Sequence, residues 1–153
     1  MCFLQFVSYF CSLTKEFNQL NLYTMADFNY KQIIYAGMVA IAGVDGECDK
    51  QERKWVDKVF DHDFNMSSRE RKEVYTLWEA NKDGFTDKVI AELKQFPAYD
   101  QREAYKRICQ FMLYRNNEYN KSSKSFAKGV DPEKEQLGRY HERAEYMRTK
   151  LDF

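Results

Sequence analysis

Gly43-Val44-Asp45-Gly46-Glu47-Cys48-Asp49-Lys50-Gln51-Glu52-Arg53 places four carboxylates, Asp45, Glu47, Asp49 and Glu52, within eight positions. Upstream, Ile33, Ile34, Gly37, Met38, Ile41 and Ala42 recur at the spacing of a wide apolar helix face. Downstream, Trp55, Val56, Val59 and Phe60 make the i, i+4 pattern of a second buried stripe. The stretch therefore reads as the end of one helix, a glycine turn and the start of another. Ala36, Gly37, Ala40, Ala42 and Gly43 keep the first helix slim enough for close neighbours, so residues 29–44 are expected to form the central, most buried helix.

Further helices are announced by their end signals. Ser67-Ser-Arg-Glu70 is a capping box, followed by Val74, Leu77 and Trp78. Gly84 suits a left-handed C-cap, and Thr86 then reads as the N-cap of a fourth helix ending at Pro97. Asp100 with Glu103 suggests the cap of a fifth, carrying Ala104, Ile108, Phe111 and Met112. Residues 120–130 form a polar loop with Lys121, Lys124 and Lys128 around Phe126. Asp131-Pro132 then opens a sixth helix, proline fitting the first helical position. Its Leu137, Tyr140, Ala144, Met147 and Leu151 repeat at 3, 4, 3, 4 spacing, a seam that must fold back on the bundle or pair in a homodimer. The expected fold is all-α, a compact bundle of five to six short helices.

Composition agrees. The 153 residues suffice for one well-cored domain, with 44% hydrophobic, 31% charged and only six glycines and two prolines. Residues 1–13 are apolar and aromatic but lack the basic start and small-residue cleavage site of a signal peptide. Met25-Ala26-Asp27 reads as an alternative start, which would make 1–24 an extension outside the fold. The division expected is 1–24 extension, 25–119 helical bundle, and 120–153 loop plus C-terminal helix. Lys+Arg and Asp+Glu balance at 24 each, giving no pull toward nucleic acid. No stretch approaches the roughly 18 apolar residues of a membrane span. Four cysteines with no CxxC spacing favour reduced thiols.

The acidic turn has two readings. Asp49 and Glu52 fit a capping box, Asp as N-cap and Glu at N3. Asp45 and Glu47 are not required by helix chemistry, and Asp45 lies where the helix dipole disfavours negative charge. Lys50, Arg53 and Lys54 are expected to point elsewhere. Four converging carboxylates make an oxygen-only set suited to Ca²⁺ or Mg²⁺. It is not an EF-hand: with Gly46 at position 6, positions 1 and 3 fall on Ile41 and Gly43. The partial match ending at Gly84 puts Ile90 at position 12. His62, between Asp61 and Asp63, reads as helix-end punctuation before metal ligand, and His141 as solvent-facing or bridging. Cys48 among carboxylates should have a raised pKa, which argues against a nucleophile. Trp55 and Trp78 read as core. No P-loop, GxGxxG, HExxH or GxSxG motif is present, so no enzyme is expected.

Val39-Ala-Ile-Ala-Gly-Val-Asp45-Gly46-Glu47-Cys-Asp49-Lys-Gln-Glu52-Arg53-Lys-Trp-Val56 resembles the signature of the TerB-like (tellurite resistance protein B) family. Its hallmark is an Ala-rich helix entering Ala-Asp-Gly, then an acidic turn and a Glu at the next helix start. Here Gly43-Val44 departs from the commoner lead-in. The resemblance implies a bacterial, cytoplasmic helical protein of tellurite resistance or related stress response, working with protein partners. It also implies a divalent-cation site at Asp45, Glu47, Asp49 and Glu52. The family's second Asp-Gly turn has no counterpart at residues 114–118, which leaves a two-site arrangement unsupported. A metal-independent interaction module, its carboxylates acting as caps, is the rival reading.

Overall fold

A computed structural model describes residues 24–122 and 131–153. Six α-helices follow one another: α1 (Tyr30–Ala42), α2 (Lys50–Asp63), α3 (Ser68–Ala80), α4 (Phe85–Leu93), α5 (Ala98–Ser122) and α6 (Pro132–Lys150). Short 3₁₀ turns occupy Met25–Asp27 and Lys82–Gly84, and no strand occurs among the described residues. The protein is an all-α bundle. The extension 1–23 and the lysine residues 124 and 128 lie outside the described residues, as does the side chain of His62.

α1 is the axis of the bundle. Every residue from Gln32 to Ala42 is buried, and the helix touches all five of the others. Its glycine makes this possible. A Cβ on Gly37 would come within 2.4 Å of the Ile108 side chain of α5, so only a hydrogen there allows the two helices their spacing. Gly43, just past the end of α1, is covered the same way by the Trp78 indole, 2.5 Å from where a Cβ would stand.

Local caps set the helix starts. Asn29 with Gln32, Asp49 with Glu52, and Ser67 with Glu70 are each reciprocal capping boxes. Asp131 accepts from the amides of Glu133 and Lys134, and Pro132 takes the first helical position. Two expected starts move. α4 begins at Phe85, so Thr86 lies inside the first turn, buried, and Gly84 stands at the cap. α5 begins at Ala98, with the Pro97 carbonyl accepting from Gln101 N at 3.0 Å. Asp100 is thereby a first-turn carboxylate near the dipole's positive end, not the cap. Gly84 has an ordinary negative φ of −110°; Gly46, φ 87°, is the glycine in the left-handed region. α5 runs to Ser122, three residues past the expected loop boundary.

The seam of α6 is consumed within the chain. Leu137, Tyr140, Ala144, Met147 and Leu151 are all buried in the same cluster as α1. Charged heads over aromatic faces join α2 and the residue after it to α5: Arg115 over Trp55, Lys58 over Tyr114 and Arg107 over Phe64.

Candidate functional site

The acidic turn leaves α1 at Gly43 and reverses at Gly46, whose amide donates to the Gly43 carbonyl at 2.9 Å. Asp45 Oδ1 accepts from Glu47 N at 3.2 Å, an Asx-type bond within the turn. Asp49 then caps α2: its Oδ1 accepts from Glu52 N at 2.8 Å, and Glu52 Oε2 accepts in return from Asp49 N at 3.0 Å. Up to this point the local chemistry is the chemistry the sequence spells.

The rest comes from α6. Glu52 is 7% exposed, and its second oxygen accepts the Tyr140 hydroxyl at 2.6 Å, a length typical of O–H donation to a carboxylate. Gln136 stands one turn before Tyr140, and its Nε2 lies 3.4 Å from both Glu52 Oε1 and Asp45 Oδ2. The amide orientation is held from behind: Arg139 Nε and Nη2 donate to Gln136 Oε1 at 3.0 and 2.7 Å. A donor nitrogen thus sits between Asp45 and Glu52, where a cation bridging them would stand.

Electrostatics follow from this packing. Burial raises the Glu52 pKa, against the lowering by the Tyr140 hydroxyl and the Asp49 amide. Tyr140 is raised, first by burial and then by donating to Glu52. Cys48 is buried beneath the turn and pushed up to about 12, by desolvation and by Glu52, so it stays a thiol. Two cations reach the backbone here. Arg53 Nε donates to the Cys48 carbonyl at 3.1 Å, and Lys82 Nζ to the Gly46 carbonyl at 2.8 Å. Arg53, which helix spacing directs elsewhere, is long enough to curl back to the turn.

The four expected ligands are therefore unequal. Asp45 and Asp49 are exposed, Asp45 with both oxygens engaged and Asp49 with Oδ1 alone, and Glu52 is enclosed. Glu47 is exposed and its side chain holds no hydrogen bond or ion pair among the described residues. Among the described residues no three His, Cys, Asp or Glu side chains gather as a metal-holding group. Gln136 and Tyr140 are the residues sequence reasoning missed. The available signal was Tyr140 itself: a tyrosine in a buried seam needs a partner for its hydroxyl. His141, beside it, meets Asn116 of α5 at 3.2 Å.

Comparison of the chain with models of known families, with curated proteins and with solved structures finds no match.

Proposed function

We propose that this chain is a TerB-like interaction module in which the acidic turn is an internal joint, capping α2 and receiving α6 without a metal. The assembled bundle then offers its outer surface to protein partners, in the setting the resemblance implies, tellurite resistance or a related bacterial stress response in the cytoplasm. The observation that carries the joint is Glu52, which has both oxygens engaged by the protein itself, from Asp49 and from Tyr140 and Gln136. An enclosed carboxylate with three donors has little left to offer an ion. Partner binding draws support from Tyr99 and Leu113 of α5, large apolar side chains that are 71% and 60% exposed. They stand fourteen positions apart, close to four helical turns, and so share a face. Leu113→Asp tests this surface: loss of co-purifying protein with an unchanged melting temperature supports it, and unchanged association removes it.

The homodimer through α6 can use only the outer face of that helix, since its seam is internal. Divalent-cation binding at Asp45, Glu47, Asp49 and Glu52 is a second reading, and the unengaged Glu47 carboxylate beside Asp45 favours it. It requires Gln136 to withdraw or to turn its carbonyl inward, which breaks the Arg139 pair. Calorimetric titration with Ca²⁺ and Mg²⁺ separates the readings. Saturable heat abolished by Asp45→Asn with Glu47→Gln supports the cation; absence of heat at millimolar metal supports the joint.

A further inference from the structure

On the other side of the acidic turn lies a cleft of about 320 Å³, bounded by that turn, the Lys82–Gly84 turn, the start of α4 and α6. That is the lower end of the size range of small-molecule sites. Ala40, Gly43, Val44, Trp78 and Phe85 form its apolar part, and Trp78 and Phe85 are fixed in the core. Lys82 and Arg143 stand at its rim. Neither meets a carboxylate at ion-pair distance among the described residues; both donate to neutral oxygens. Lys82 Nζ reaches the Gly46 carbonyl and Arg143 Nη1 the Thr86 hydroxyl, each at 2.8 Å.

Thr86 gives the cleft its direction. It is 6% exposed, its oxygen accepts from Arg143, and its own O–H finds no acceptor among the described residues. A buried hydroxyl proton without an acceptor costs free energy that a bound acceptor would recover. The nine-residue α4 starts at the same place, continuing directly from the Lys82–Gly84 turn. Two carboxylates share the lining. Asp45 already accepts from Glu47 N and Gln136, and Asp83 is exposed, where solvent and salt screen it.

We propose that this cleft binds a small phosphate-bearing molecule. Its phosphate is held by Lys82, the Arg143 guanidinium and the Thr86 hydroxyl. Its remaining part lies toward a second hollow of similar size, lined by Val44, Arg139, Glu142, Arg143 and Tyr146. Arg143 and Val44 border both hollows, which places the two side by side. Arginine supplies the planar donor fork that matches a phosphate, and lysine the point charge.

Inorganic phosphate is the probe, titrated into the ¹⁵N-labelled full chain, with chloride at matched ionic strength as control. The expected result is saturable movement of the Phe85 and Thr86 amide signals with phosphate alone. Affinity falls about tenfold in Lys82→Gln, as loss of one charge-assisted contact would give, and is unchanged in Lys88→Gln, an exposed cation further along α4. Because Arg143 also ties α6 to α4, Arg143→Lys is the second variant; it keeps the charge, loses the fork and is expected to weaken phosphate with the fold intact. Movement that chloride reproduces, movement that survives both Lys82→Gln and Arg143→Lys, or no saturation at millimolar phosphate each overturns the proposal.

Discussion

The carboxylate of Glu52 meets donors from two distant parts of the chain, the Asp49 amide beside it and the Tyr140 hydroxyl and Gln136 amide of α6. Its raised pKa fixes the sign of a pH effect. With the folded value above the unfolded one, the native state binds more protons in the interval between them. Stability from this group is complete below the ordinary value of 4.5 and is lost as pH rises through the folded value. Glu70, lowered first by its bond from Asn29, acts in the opposite sense: its contribution is present above 4.5 and is lost as pH falls through the folded value. Urea unfolding across this acidic range should therefore show that Glu52→Gln removes a declining component from the profile, while Glu70→Gln removes a rising one. Glycines at the turn should fail for two different reasons. Gly43→Ala drives a methyl into the fixed Trp78 ring and should cost about 1–3 kcal/mol by overpacking. Gly46→Ala meets open space but must hold φ 87°, costing roughly 1–2 kcal/mol. Mutation of Trp78 to a smaller residue should relieve the first penalty and leave the second, a distinction that urea midpoints measure.

Helix boundaries were legible where one residue type has one use. Asp49 with Glu52, Ser67 with Glu70, and Asp131 before Pro132 all cap as spelled. Thr86 and Asp100 misled because a cap-type side chain is also at home in a first turn, and the flanking Gly84 and Pro97 already begin the helices. Asn29 with Gln32 is an equally plain box, masked by the stronger apolar run that follows it. The candidate site divides along the same line. The bonds inside the turn span two or three positions and can be inferred from spacing. Those from Gln136 and Tyr140 span more than eighty and depend on how α6 lies across α2. Asp131 also receives the Tyr119 hydroxyl at 2.5 Å, which couples the start of α6 to α5. Asp131→Ala should speed amide hydrogen exchange at Glu133 and Lys134 while leaving the second half of α6 protected, where Tyr140, Ala144 and Met147 are buried.

Across the whole molecule, one core holds α1 and α6 together, so the C-terminal helix belongs to the bundle itself. Its apolar seam was legible as a seam; only the packing of five helices around α1 shows that it is filled from within the chain. A Leu137→Asp, Met147→Asp variant should therefore unfold cooperatively on its own, with circular dichroism losing helix, rather than merely dissociate. The joint also makes a prediction about ions: melting temperature should be the same in EDTA and in millimolar Ca²⁺ or Mg²⁺, since a ligand that does not bind the native state cannot stabilise it. The most direct test of α6 seating on the acidic turn is a double-mutant cycle of Glu52→Ala and Tyr140→Phe, read by urea unfolding at neutral pH. The joint predicts a favourable coupling of about 1–2 kcal/mol between them. Additive losses, with a coupling inside about 0.3–0.5 kcal/mol of zero, would contradict it.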